Sequence, residues 1–281
     1  MNNNYTELKR SAANIRKMVL EATCNAKSGH PGGSLSSADI LAYLFMSEMN
    51  IDPKNSQNPD RDRFVLSKGH ASPALYGALA ERGFIPKEDI KTFRNAESYL
   101  QGHPDMKGVK GVDMSTGSLG QGISAACGMA LAGKINKKDY RVYSIIGDGE
   151  CEEGQVWEAA MFAAHYKLDN LTVFLDFNNL QIDGNIRDVM NPTPFDKKFE
   201  AFNWNVLTID GHNFGEIEDA VKKAKETKGM PTIIIANTIK GKGVSFMENQ
   251  CNWHGSAPSV EQCEIGTREL DEYINSLGGA L

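Results

Sequence analysis

The sequence predicts an α/β fold, a mostly parallel sheet with helices on both faces, in a single domain over residues 1–281. Three observations predict it. Apolar runs of strand length recur at 63–66, 142–146, 171–177, 204–209 and 231–239. Segments with apolar residues stepping by three and four separate those runs. No internal repeat, low-complexity tract or linker interrupts the alternation, which is the pattern of a sheet covered by helices.

Taken in order, Tyr5, Leu8, Ala12, Ile15, Val19 and Thr23 give an opening amphipathic helix. It stops before Ser28-Gly29-His30-Pro31-Gly32-Gly33, which reads as a loop. Ser36 with Asp39 resembles a capping box for a helix running to about Met49. Residues 52–61 are turn-like, and the strand Arg63–Leu66 leads through Ser67-Lys68-Gly69-His70-Ala71 into a helix from Ser72 to Glu81. A short helix from Pro86 to Arg94 precedes the turn Gly102-His103-Pro104-Asp105. Asp113 to Gly122, DMSTGSLGQG, opens a helix from Ile123 to Lys134. After the strand at 204–209 come a helix from Gly215 to Thr227, the strand at 231–239, a terminal helix from Val260 to Leu277 and a Gly-Gly-Ala-Leu tail.

Between these lies the stretch around which the chain is organised, Tyr140 to Gly184. The strand-like run Val142–Ile146 stops at Gly147-Asp148-Gly149, a helical pattern begins near Glu152-Glu153, and a second strand-like run spans Leu171–Phe177. One βαβ unit of this kind has parallel strands, so the loops at both carboxyl ends share one edge of the sheet. Asp148 and Asn178-Asn179 are therefore expected to meet. Asp148 offers a carboxylate oxygen, Asn178 an amide oxygen and Leu180 a backbone carbonyl, which suits the six-oxygen shell of Mg²⁺ with places left for phosphate and water. Bare backbone at Gly147 and Gly149 and the following helix N-terminus suit an anion. Together the residue types point to a diphosphate held with Mg²⁺.

Composition narrows the function classes. Net charge is −6, which argues against a nucleic-acid or anionic-membrane partner. The cysteines at 24, 127, 151, 251 and 263 form no CxxC and suit a reducing compartment. Cys251, His254 and Cys263 match no usual zinc spacing, and no HExxH occurs. The amino terminus lacks the apolar core of a signal peptide and no run nears the ~18 residues of a membrane span, so a cytoplasmic protein is expected. Gly241-Lys242-Gly243 fits no P-loop frame. Four of the six histidines, His30, His70, His103 and His254, stand in Gly- or Pro-containing loops; His165 falls mid-helix and His212 in a turn.

The central pattern GDG…EG…N…IDG resembles the thiamine-diphosphate signature of the transketolase family. SGHPGGSLS, SKGHAS, the GHP at Gly102, TGSLGQG and the HG at His254 are similar to other motifs of that family, with Ser118 where some members have proline. The resemblance implies thiamine diphosphate with Mg²⁺, for which Ca²⁺ or Mn²⁺ can substitute, and transfer of a two-carbon ketol unit from a ketose phosphate to an aldose phosphate. It implies Asp148, Asn178 and the Leu180 carbonyl as metal ligands. His70, Gly117, Ser118, Leu119, Gly149, Asn178 and His254 would contact the cofactor. His30, His103 and His254 would face the sugar and act in hydrogen bonding or proton transfer. Glu153 matches the family Glu after GDG, a buried acid at the cofactor between subunits; an N-terminal helical Glu stabilised by the dipole explains it as well.

The resemblance covers nearly the whole chain but only the amino-terminal third to half of a full-length transketolase. The pyrimidine-binding domain and its glutamate have no counterpart. This implies a split enzyme in which a complementary C-terminal subunit supplies them, assembled as a heterotetramer, and the start at Met1 suits a natural subunit. Rival readings are another thiamine-diphosphate enzyme, such as a deoxyxylulose-phosphate synthase or a 2-oxoacid decarboxylase component, a non-catalytic binding homologue, and a metal-dependent phosphohydrolase.

Overall fold

In the computed structural model, which describes residues 5–278, the first apolar stripe forms α1 (Thr6–Ala26), closed by Lys27 in the left-handed conformation. Helices α2 (Pro31–Ser36) and α3 (Ala38–Tyr43) follow, the latter continued by a π-helical turn to Glu48. Strand β1 (Arg63–Leu66) runs through a 3₁₀ turn into α4 (Ser72–Arg82). Next come α5 (Gln121–Ile135), β2 (Val142–Gly147), α6 (Gly154–His165) and β3 (Leu171–Phe177). A hairpin of β4 (Leu180–Gln181) and β5 (Gly184–Asn185) precedes α7 (Ile186–Val189) and α8 (Phe195–Ala201). Strand β6 (Asn205–Asp210), α9 (Phe214–Glu226), β7 (Thr232–Asn237) and α10 (Val260–Ser276) complete the chain. Of the expected tail only Gly278 lies within the described residues.

The main sheet has the order β1-β2-β3-β7-β6, and every pairing in it is parallel. Its inner strands are buried on both faces, so they read as continuous apolar runs. Alternate residues feed two cores. Tyr143, Ile145, Phe174, Ile234 and Ala236 pack with α1, α3, α4 and α9, whereas Val142, Ile146, Val173, Leu175, Ile233 and Ile235 pack with α5, α6 and α8. Helices therefore cover both faces, as expected. Because the strands are parallel, the segments after β1, β2, β3, β6 and β7 leave from one edge. Among the described residues no helix is long and apolar enough to cross a membrane.

Several local expectations fail for identifiable reasons. The glycine-rich loop at His30 is helical from Pro31, with the whole segment buried. Packing overrides glycine's low helix propensity there, since a Cβ on Gly32 would lie 2.8 Å from the Trp253 carbonyl oxygen. Ser36 does not cap α3. It ends α2, and its hydroxyl donates to Asp176 (2.6 Å) while Asp39 pairs with Arg16. The expected helix at Pro86–Arg94 is a 3₁₀ turn over Lys87–Thr92.

One close approach fixes how α5 sits on the sheet. A Cβ on Gly122 would fall 2.5 Å from the Cα of Ser67 at the end of β1. Gly122→Ala is expected to force the helix outward and to cost about 2 kcal/mol of folding stability, as overpacking does, measured by urea denaturation; an unchanged midpoint would contradict this packing.

Candidate functional site

The edge of the sheet opens into a cavity of about 470 Å³. It gathers His30, His70, His103 and His254 with Gly117, Leu119, Asp148, Gly149, Glu153, Asn178 and Leu180. Ser118 is exposed on the same loop and does not line the cavity. The rings of His30, His70 and His254 form a cluster, with centroids 5.1, 5.6 and 5.2 Å apart. His30 stands at the start of α2 with its Nδ1 buried and unpartnered. The His103 ring lies on bare backbone, where a Cβ on Gly117 would be 3.2 Å from it. The two loops that carry His70 and Gly117 also touch, since a Cβ on Gly69 would sit 2.7 Å from the Gly117 nitrogen.

Asp148 directly after β2, Asn178 directly after β3 and Leu180 at the start of β4 all line this cavity. Asp148 accepts from the amides of Gly149 (2.8 Å) and Asn179 (2.6 Å), which fixes its carboxylate. Asn178 donates to Asp176 at 3.3 Å and accepts from the Leu180 amide at 3.1 Å, which orients its side-chain oxygen. Among the described residues no group of three or more His, Cys, Asp or Glu converges as a metal cluster. A cation here would rest on one carboxylate plus amide and carbonyl oxygens, a hard donor set that fits Mg²⁺ better than zinc. The orphaned His30 nitrogen and the glycine-lined floor likewise fit an organic anion.

Five residues escaped the sequence reading. Asp176 at the end of β3 is fully buried and accepts from Ser36, Lys68, Thr238 and Asn178. Burial alone would raise its pKa, but the Lys68 ammonium beside it holds the carboxyl below the usual range. Its signal was a lone acid inside an apolar strand run. Lys68 also donates to the Gly33 carbonyl (2.7 Å). Lys240 donates to the Leu180 carbonyl and meets His254 Nδ1, both at 2.9 Å. Gln181 reaches Glu152 (2.9 Å) at the rim.

The fifth is Glu150. It is the buried acid after the Asp148 turn, whereas Glu153 lines the cavity and is exposed in the single chain, the side on which an acid shared with another subunit would stand. Glu150 accepts from Ser67 and from the amides of Gly120 (2.8 Å) and Gly147 (2.9 Å). It ties three loops together. Glu153 begins α6 with no side-chain cap bond. His165 is exposed at the last residue of α6, not mid-helix, and Cys263 lies against Cys24 on α1.

Burial sets the protonation of the cluster. Desolvation first, then Arg94 and other neighbours, lowers His30 to about 4. Desolvation and Lys240 lower His254 to about 3, while His70 falls well below its ordinary value and His103 also drops. At neutral pH all four are uncharged and can accept a proton or a hydrogen bond. Burial, with Asp176 nearby, pushes Asp148 upward, and burial pushes Lys240 downward.

Residues 8–270 match the family model described as "Transketolase, thiamine diphosphate binding domain". The chain is 47% identical to the 6-deoxy-6-sulfo-D-fructose transketolase subunit SqwG of Clostridium sp. (strain MSTE9), covering 97% of this chain and 99% of that protein. It is 42% identical to an apulose-4-phosphate transketolase subunit of Phocaeicola vulgatus, covering 93% of each. Transketolase of Homo sapiens is 42% identical over 96% of this chain, which spans only 43% of the human protein. The crystal structure of transketolase from Campylobacter jejuni superposes with a TM-score of 0.89 at 34% identity, over 96% of this chain and 43% of that one.

The depressed histidines have a consequence for acid stability. A base whose folded-state pKa lies below its unfolded value of 6.5 contributes full stability above 6.5 and loses it as pH falls toward the folded value. Without cofactor, thermal stability is expected to fall between pH 6.5 and 4. His30→Gln and His254→Gln should each flatten the curve of Tm against pH in that window, and unchanged slopes would contradict the buried neutral cluster.

Proposed function

We propose, for a chain that belongs to the transketolase family through its thiamine diphosphate-binding domain, that it is the cofactor-holding subunit of an enzyme moving a two-carbon ketol unit from a ketose phosphate to an aldose phosphate. One observation carries the reading. A single cavity at the carboxyl edge of a parallel sheet is lined by four histidines and by Asp148, Asn178 and Leu180, residues whose oxygens suit a hard cation.

Asp148, Asn178 and the Leu180 carbonyl would hold Mg²⁺, with Ca²⁺ or Mn²⁺ as substitutes. His70, Gly117, Leu119, Gly149, Asn178 and His254 would hold the cofactor, with Ser118, which does not line the cavity, contributing only as part of their loop, and Glu153 would guard the rim. When bound, thiamine diphosphate supplies the electron sink for breaking and making the sugar carbon–carbon bond. His30, His103 and His254, uncharged near pH 7, would accept and return protons at sugar hydroxyls. Lys240, which donates to the Leu180 carbonyl, would offset diphosphate charge there.

The chain spans less than half of full-length transketolases, whereas it covers nearly all of relatives named as subunits. These coverages support pairing with a complementary subunit that carries the pyrimidine-binding domain. On this reading residues 1–281 are one domain of a cytoplasmic heterotetramer. The names of those relatives also bring a sulfonated or branched ketose into consideration as donor, since the groups that grip the far end of the sugar would stand on the partner.

The test uses the chain with the product of an adjacent reading frame, thiamine diphosphate and Mg²⁺. Ketol transfer is assayed from xylulose 5-phosphate, 6-deoxy-6-sulfofructose and apulose 4-phosphate to an aldose phosphate. Activity confined to the mixture is expected; cofactor binding with no transfer from any donor would refute the substrate class. Asp148→Ala is expected to abolish Mg²⁺-dependent cofactor binding, whereas His103→Ala should spare binding and lower kcat about 100-fold. The reverse pattern would overturn these assignments.

A further inference from the structure

His212 follows β6 in a turn, outside the cavity lining, and both of its ring nitrogens are engaged. Its Nε2 lies 2.9 Å from the backbone nitrogen of Ile239. An amide N–H can only donate, so Nε2 carries no proton. The ring proton then sits on Nδ1 and is donated to Asp39 Oδ2 at 2.7 Å. Asp39 is buried, and the Arg16 guanidinium pairs with it, so its charge is already matched and the imidazole need not supply one. Contact between His212 and Asp39 is thus a neutral donor to a carboxylate, not an ion pair.

The bond to Ile239 matters for what comes next in the chain. Ile239 directly precedes Lys240, whose ammonium meets the Leu180 carbonyl and His254. The stretch 238–241 is anchored at every residue, with the Thr238 amide on the Phe177 carbonyl at 3.0 Å and the Asn249 amide on the Lys240 carbonyl at 2.9 Å. The Thr238 hydroxyl bonds Asp176, the Ile239 amide bonds His212, and the Gly241 amide bonds the Gly32 carbonyl at 3.0 Å. The turn bearing His212 is itself wedged against this stretch, because a Cβ on Gly211 would fall 2.6 Å from Thr238 Cγ2.

We propose that His212 is a positioning residue: its bare Nε2 pins the Ile239 amide and thereby sets the Lys240 ammonium between the Leu180 carbonyl and His254. That Lys240 then meets a cofactor diphosphate rests on the proposed function; the pinning itself does not. The same buried group also braces the opposite wall, since Arg16 donates to the Leu35 carbonyl in α2, the helix that His30 opens.

Two near-isosteric substitutions separate the two bonds. In His212→Gln the side-chain oxygen reaches the place of Nε2 and can accept from Ile239, while the bond to Asp39 is lost. In His212→Asn the amide nitrogen takes the place of Nδ1 and can donate to Asp39, while the Ile239 amide is left unpartnered. Both variants are read by thermal melting, by ¹⁵N-resolved NMR of the Ile239 and Lys240 amides without cofactor, and by tryptophan quenching on adding thiamine diphosphate with Mg²⁺. The expected result is a similar loss of Tm in both, with the amide resonances and cofactor affinity of the Gln variant near wild type, within about threefold. The Asn variant should show shifted amides and an affinity about tenfold weaker, the scale seen when a supporting hydrogen bond is removed. Equal amide shifts and equal affinities in the two variants would overturn the proposal, as would a wild-type His212 protonated on Nε2 in the same spectra. If the wild-type protein binds no thiamine diphosphate even with its complementary subunit present, the proposed function fails, and the amide resonances of the chain alone still decide the role of His212.

Discussion

Most of the site depends on one buried charge pair, Asp176 with Lys68, at the carboxyl end of the middle strand of the sheet. Removing two charges from water is costly, and the cost is offset here only because the remaining hydrogen-bonding capacity is used. Asp176 takes bonds from Ser36, Thr238 and Asn178, and Lys68 gives one to Gly33. The partners come from the segment after His30, the loop before His70, the loop carrying Asn178 and the loop carrying Lys240. Helix α2 and three loops, distant in sequence, are thereby held in one arrangement. Glu150 performs a similar task on the other side, joining Ser67, Gly120 and Gly147 through neutral donors.

Much of the architecture was legible because its periodicities are long and consistent. The strands of the inner sheet are apolar on both faces, and α1 and α9 carry clear apolar stripes. The short pieces were not. The hairpin β4–β5 and helices α7 and α8 span two to seven residues each, too few for a period to show. At Pro31–Ser36 local propensity points to a loop, and only the crowding of Gly32 against Trp253 and Lys240 reveals why the backbone coils there.

The candidate site divides in the same way. Asp148, Asn178 and the loop histidines stand in short motifs next to glycines or at strand ends, and such neighbourhoods can be recognised one at a time. Asp176, Lys68, Glu150 and Lys240 are defined by partners on other segments, as with Ser67 and Glu150, 83 residues apart. No local spacing carries that information. Glu153 and Glu150 divide in the same way: Glu153 occupies the motif position at the cavity edge, while the burial and hydrogen bonds within this chain belong to Glu150, three residues earlier.

The contact between Gly69 and Gly117 has a thermodynamic consequence. Where the two loops meet, the side chain at the junction is that of Thr116, whose hydroxyl is already held on the Leu66 carbonyl at 2.7 Å, so little rotamer freedom is left to freeze when a ligand arrives. The floor of the cavity is preorganised, so the ordering cost of complex formation falls on the incoming molecule and on whatever closes over it. A cavity floor built in this way can keep its shape while open to solvent.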